Sequence, residues 1–234
     1  MQTPSNTRVL RTTDFAETAV RLIVQEHDKA ITERGLFRLG LAGGSTPRKV
    51  YEALATLTPS LTWEKVQITF GDERCVPPDH ADSNFQMAQD SLLSKVNIPS
   101  GNIFRIQGEL APQDAAALCE RQLEAIANRF GETRYRHDLL LLGIGEDGHT
   151  ASLFPGSPAL LENLRNVIPT TGPKPPPQRI TFTFPLINAS RTVAFLVNDP
   201  AKDTIVAEAR SGQHPSGKVS PTDGEVVWIL GDRK

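Results

Sequence analysis

The chain has 234 residues, 38% hydrophobic and 22% charged positions and a formal net charge of −2, which is length and apolar content enough for a core that needs no staples. Balanced charge argues against nucleic acid or an anionic membrane as partner, and two distant cysteines, Cys75 and Cys119, exclude a disulfide framework and a zinc ribbon. A polar start from Met1 to Leu10, with no apolar run near the ~20 residues of a membrane span, points to a soluble protein of the cytoplasm.

Asp14 with Glu17 three residues on, followed by Ala16, Ala19, Val20, Ile23 and Val24, predicts a capped amphipathic helix that stops before Gly35. Leu36 to Leu41 reads as a strand running into the glycine turn Ala42-Gly43-Gly44-Ser45-Thr46-Pro47, and Val50, Tyr51 and Leu54 restore helical spacing. Val66 to Phe70 alternates like a strand, Gly71 to Asn84 is polar and broken by proline, and Phe85 to Leu93 suits a helix capped by Ser83 or Asn84. Ala115 to Phe130 forms the next helix, with Asp114 as its cap and Gly131 as its stop. Four consecutive leucines, Leu139 to Leu142, need apolar cover on both faces and mark the most buried strand. Further strands fall at Ile180 to Phe184, Thr192 to Val197 and Val226 to Leu230, and Asp199 with Pro200 opens a helix through Ala209 that ends at Gly212.

Strands and helices alternate from end to end, so the expected fold is α/β: a doubly wound, mainly parallel sheet with helices on both faces, in one domain spanning residues 1–234. Ligands of such folds bind beyond the carboxyl ends of the strands, and the chemistry is therefore sought in strand-to-helix loops.

In the first of these loops Gly43 and Gly44 allow close backbone approach, Ser45 and Thr46 offer hydroxyls, and Pro47 opens a helix whose free N–H groups suit an anion. The same residues also describe an ordinary glycine turn with a Ser/Thr cap. The loop is neither a Walker loop nor a nucleophile elbow, because Gly-Lys-Ser/Thr is missing and Pro47 stands where GxSxG needs glycine. A second loop, Gly143 to Thr150, formally matches GxGxxG, but Glu146 and Asp147 would set carboxylates against a pyrophosphate and Pro155-Gly156 cuts the helix short. His149 is the better working residue there, a histidine at a strand end suited to general-base duty.

A third loop, Gly71-Asp72-Glu73-Arg74, sets two carboxylates beside a guanidinium; it is either a solvated ion cluster or, if it shares the crevice, a place where Arg74 binds an anionic oxygen while the acids, Asp72 and Glu73, hold Arg74 or orient substrate hydroxyls. Lys202, in the first helical turn after Asp199 and Pro200, opposes the helix dipole unless an anion lies nearby. Lys174 sits in a stiff proline run before Arg179 and reads as a loop that presents its ammonium. The five histidines are scattered without HExxH spacing, and no metal is expected.

These residues resemble the 6-phosphogluconolactonase family over nearly the whole chain. The likeness rests on Leu41 to Arg48, on Gly71 to Arg74 with Asp82, Ser83 and Asn84, on DLLLLGIGEDGHTASLFPG from Asp138 to Gly156, and on Lys174 with RITFT from Arg179 to Thr183. The related glucosamine-6-phosphate deaminases share the glycine loop and the DGH core, but Phe154 here occupies the place of their catalytic glutamate. The resemblance implies hydrolysis of 6-phospho-D-glucono-1,5-lactone without a cofactor, by a monomer whose partner is that small phosphosugar lactone. It implies His149, Asp147 and Arg74 as catalytic residues, and Gly43, Gly44, Ser45, Thr46, Asp72, Lys174, Arg179 and Lys202 as substrate contacts. Lys202 matches the phosphate-binding lysine of the deaminases, although Asn198 replaces the glycine often found before its helix.

Overall fold

The computed structural model describes residues 6–57 and 61–232. Its elements run β1 (Thr7–Thr12), α1 (Phe15–Arg34), β2 (Phe37–Leu41), α2 (Ser45–Leu57), β3 (Val66–Phe70), β4 (Asp72–Arg74), α3 (Asn84–Ser91), α4 (Pro112–Arg129), β5 (Leu139–Leu142), β6 (Val167–Thr171), β7 (Gln178–Phe182), α5 (Phe184–Ile187), β8 (Thr192–Val197), α6 (Asp203–Arg210) and β9 (Glu225–Gly231). Six strands form one sheet in the order β1-β9-β8-β5-β2-β3, and every neighbouring pair in it is parallel. The leucines of β5 lie in the middle of that sheet and all four are buried, as an unbroken apolar run requires.

Because the chain leaves β2 toward β3 on one side and later returns to β5 on the other, the strand order reverses between β2 and β5. A crevice opens at such a reversal, beyond the carboxyl ends of the strands. The loops after β2, β5 and β8, which carry Gly43–Thr46, Gly143–His149 and Asn198–Lys202, therefore come together at one edge of the sheet.

A second, three-stranded antiparallel sheet, β4-β7-β6, departs from the expected architecture. Segment 71–84, read as irregular, contains β4, a strand of only Asp-Glu-Arg with no apolar pattern to reveal it. In β6, Pro169 interrupts the strand signal. The predicted strand at 180–184 is real but begins at Gln178, ends at Phe182 and belongs to this small sheet, with Phe184 already opening α5. Edge strand β1 was hidden in sequence by Arg8 and Arg11, which flank Val9 and Leu10.

Local signals fared unevenly. Gly35 ends α1 in the left-handed region (φ 71) with its N–H on the Ile31 carbonyl, yet the Asp14 side chain makes no capping bond. Helix α4 starts at Pro112, ahead of the expected cap Asp114, because proline is well suited to a first helical position; Asp114 sits in the first turn, where the dipole favours it. Ser83 caps α3 by accepting from the Gln86 amide, and Asp199 accepts from the Ala201 amide to begin a tight turn, Pro200–Lys202, ahead of α6. All of β3 is buried, so its apparent alternation does not mark a solvent face; Thr69 instead shares a 2.8 Å hydrogen bond with buried His137. Burial holds His137 neutral, its pKa pushed down to about 3, which gives this histidine a place in the core and none in the cleft.

Candidate active site

At the end of β2 both backbone groups of Ala42 bond to the Tyr51 hydroxyl at 2.8 Å, which ties the strand end to α2. The next two residues must be small for separate reasons. A side chain on Gly43 would run into that of Asn84, and Gly44 has φ 109, a conformation L residues rarely adopt. The Gly44 carbonyl accepts from the Arg48 amide at 3.2 Å, so the N–H groups of Ser45 and Thr46 lie in the first turn without intrahelical partners. They point, with the helix dipole, toward the crevice end of α2.

The loop after β5 closes on itself through Gly145 N–H to the His149 carbonyl at 2.9 Å and Gly148 N–H to the Gly145 carbonyl at 3.1 Å. Inside it, Asp147 Oδ1 accepts from the His149 amide at 3.1 Å and lies 2.5 Å from His149 Nδ1. Burial works against the Asp147 charge, but the hydrogen bonds from His149 outweigh it and hold the carboxyl below its ordinary range. An ionised partner on Nδ1 fixes the proton there and leaves Nε2 as the basic nitrogen. Phe154 lies against the imidazole with ring centroids 4.6 Å apart. A side chain on Gly145 would collide with His149 and Asp147, so the glycines that mimic GxGxxG serve histidine packing. Ala151, at φ 47, carries backbone strain beside the site.

The cationic side of the cleft comes from the small sheet. Arg74 on β4 and Arg179 on β7 are cross-strand partners, and the Nε of each is buried without a hydrogen-bond partner. Arg74 donates to the Asp82 carbonyl at 2.5 Å and Arg179 to the Lys174 carbonyl at 3.4 Å, but neither forms an ion pair among the described residues. Burial, and then the neighbouring Arg74 charge, push the Arg179 guanidinium below its usual range. Two adjacent guanidiniums without an ion-paired carboxylate are chemically suited to an anion. Lys202 reaches the same cleft and donates from Nζ to the Ile144 carbonyl at 2.6 Å.

Asp72 lines the cleft with both oxygens engaged: Oδ1 accepts from Asn84 at 3.1 Å and Oδ2 from the Ser152 hydroxyl at 2.6 Å. Glu73 turns away and accepts from the amides of Arg74, Asn84 and Phe85 and from the Ser83 hydroxyl, holding the start of α3. Burial raises the Glu73 pKa against the pull of those amides.

Every candidate named from sequence lines one cleft of about 520 Å³: Gly43, Gly44, Ser45, Thr46, Asp72, Arg74, Asp147, His149, Lys174, Arg179 and Lys202. Three further residues gain a role only in three dimensions. Ser152 and Asn84 brace Asp72, and Phe154 packs on His149; each is a common residue type in a segment with no spacing rule that announces a bracing role. Among the described residues no cluster of metal-ligating side chains occurs.

Fold and cleft together define an α/β protein with a cleft beyond the carboxyl ends of its parallel strands, lined by four cationic side chains and a histidine–aspartate pair. Residues 11–228 match the family of glucosamine-6-phosphate isomerases/6-phosphogluconolactonase, and the chain belongs to that family. It is similar to 6-phosphogluconolactonase of Synechocystis, with 41% identity over 92% of this chain and 90% of the relative. It is likewise 41% identical to a probable chloroplastic 6-phosphogluconolactonase of rice, over 92% of this chain and 70% of that protein. The crystal structure of 6-phosphogluconolactonase from Thermotoga maritima superposes with a TM-score of 0.86 at 30% identity, covering 97% of this chain and all of the other.

Proposed function

We propose that the protein hydrolyses 6-phospho-D-glucono-1,5-lactone to 6-phospho-D-gluconate, the second step of the oxidative pentose phosphate pathway, with His149 as general base. One observation carries the mechanism: His149 Nδ1 lies 2.5 Å from Asp147 Oδ1, which orients Nε2 as a proton acceptor in a cleft that also holds Arg74, Lys174, Arg179 and Lys202. His149 Nε2 takes a proton from water as the water oxygen attacks the lactone carbonyl. Asp147 steadies the imidazolium that results. The tetrahedral intermediate then collapses, the bond from carbonyl carbon to ring oxygen breaks, and the imidazolium returns the proton to that oxygen. Water and lactone balance the reaction without a cofactor. General-base assistance is worth about 10²- to 10⁴-fold.

Arg74, Arg179, Lys174 and Lys202, with the N–H groups of the Gly43–Thr46 turn, hold the phosphate and the developing oxyanion. Asp72 keeps the Arg74–Arg179 pair in a polar frame. Binding energy at the remote phosphate fixes the carbonyl against the attacking water, so a lost phosphate contact lowers turnover as well as affinity. The same reading makes the protein a cytoplasmic monomer in one domain whose partner is its small substrate, and the free Cys75 and Cys119 suit a reducing compartment.

The test is hydrolysis of lactone generated freshly in the cuvette, with His149→Ala as control for the spontaneous reaction and ammonia release from glucosamine 6-phosphate measured alongside. Fast lactone loss without ammonia, abolished in His149→Ala, is expected. Ammonia release identifies a deaminase despite Phe154, and near-wild-type turnover in His149→Ala removes that residue from the mechanism.

A further inference from the structure

One stretch of chain, from Lys202 to Ser216, grips the His149 loop from behind. At its start Lys202 Nζ donates to the Ile144 carbonyl at 2.6 Å. At its end the Ser216 amide donates to the Gly148 carbonyl at 3.1 Å. Between them Gly212 (φ 86) stops α6, and the chain turns into His214, whose Nε2 lies 2.9 Å from Glu208 Oε2 on that helix.

The His214 ring stands where a side chain on residue 148 would be, because a Cβ on Gly148 would collide with its Cβ and Cγ. Gly148 also has φ 76, so glycine is required there twice over. His214 thus fills, from another part of the chain, the space that residue 148 leaves empty. The residue that follows is His149, whose amide and ring both bond Asp147 Oδ1. A shift of the 148–149 peptide swings the imidazole with it.

We propose that His214, oriented by Glu208, is a positioning residue for His149: it closes the back of the loop and, with the Ser216 amide, holds the Gly148 peptide in the orientation that aims Nε2 into the cleft. The proposal rests on His149 being the base. It requires that His214 never touch substrate, and His214 does not line the cleft.

The experiment compares His214→Ala, His214→Gln, His214→Gly, Gly148→Ala and the double variant His214→Gly/Gly148→Ala. Each is measured for kcat and KM on the lactone, 6-phosphogluconate affinity and melting temperature. His214→Ala is expected to lower kcat about tenfold through misplacement of the base, while KM and product affinity stay within about twofold because the cationic groups are unchanged. His214→Gln, which fills similar space and still donates to Glu208, recovers most of that loss. In the double variant no Cβ remains at position 214 to meet the added methyl, so the loss is smaller than the product of the two single losses.

Unchanged kcat in His214→Ala overturns the proposal, as do single losses that simply multiply in the double variant. Parallel loss of kcat, product affinity and melting temperature also overturns it, since that pattern marks general packing. Where His214→Ala does not fold, the milder His214→Gln and the His149 imidazole signals carry the comparison. The imidazole NMR signals of His149 in ligand-free protein are expected to move in the His214 variants, and static signals count against the proposal. Absence of lactonase activity in the wild type refutes the functional reading instead, while the NMR readout still reports on the brace.

Discussion

Asp147→Asn isolates what the carboxylate does for His149. Asp147 Oδ1 accepts from both the amide and the ring Nδ1 of His149, at 3.1 and 2.5 Å. The substitution keeps the shape and removes the charge. An asparagine that turns its NH₂ toward Nδ1 imposes the opposite tautomer, with the proton on Nε2 and no base facing the cleft; one that turns its oxygen there preserves the tautomer and loses only the attraction for imidazolium. Hydrogen bonds to charged groups are worth about 1.5–3 kcal/mol. The Asp147 side chain is 45% exposed, so water screens part of that, and about 1–2 kcal/mol is the expected loss in the transition state. That corresponds to a fall of about 5- to 30-fold in kcat, with KM little changed because phosphate contacts are untouched. Initial rates on freshly made lactone read it directly. A kcat within twofold of wild type, or a loss confined to KM, would falsify the orienting role. Stability gives a second handle. The Asp147 pKa is depressed by its bonds to His149, so its contribution is fully present above the ordinary aspartate value near ~3.9 and disappears as pH falls through the lower folded value. The Asp147 carboxyl's own share of the stability gap between wild type and Asp147→Asn is therefore lost as pH falls below about pH 4.

Lys202→Ala is expected to weaken 6-phosphogluconate binding at least tenfold, as loss of a charge-assisted contact requires, and to leave unphosphorylated gluconolactone hydrolysis nearly unaffected; equal loss for both substrates, read from kcat/KM, contradicts the phosphate assignment. Gly43→Ala drives a methyl into Asn84, which is clamped to Asp72 by two hydrogen bonds. It should abolish most turnover while the melting temperature falls only a few degrees, and normal kinetics would show that Asn84 yields freely. Leu141→Ala empties a fully buried position in the central strand; it should cost about 2–5 kcal/mol by denaturant titration, and a cost below 1 kcal/mol would mean that the core collapses around it.

Much of the fold was legible because burial leaves a mark on residue type. Four leucines in a row announce the middle of a parallel sheet, and Gly35, Ser83, Asp199 and Gly212 punctuate helices through backbone needs that neighbours do not override. The small antiparallel sheet was not legible. Asp72–Arg74 pairs through its backbone, with charged side chains turned to polar partners, so nothing apolar alternates; in β6 a proline sits where a strand signal is sought. The candidate site was legible as a set of loops, since glycines, a loop histidine and uncompensated cations stand out at strand ends. What stayed hidden were long-range partners. Asn84, Ser152 and His214 act on residues 12, 80 and 66 positions away, and no local pattern encodes such distances.

The two halves of the cleft stand on different frames. Arg74 and Arg179 ride on the small sheet, whereas His149 hangs from the central strand of the large one. The gap between guanidinium pair and imidazole is therefore a spacing between packed layers, and under the proposed function it works as a caliper for the length of the ligand. Ile180 and Phe182, fully buried and alternating with Arg179 along β7, set one jaw of it. Changes of side-chain volume at those positions reset the span between guanidinium pair and imidazole without altering either group.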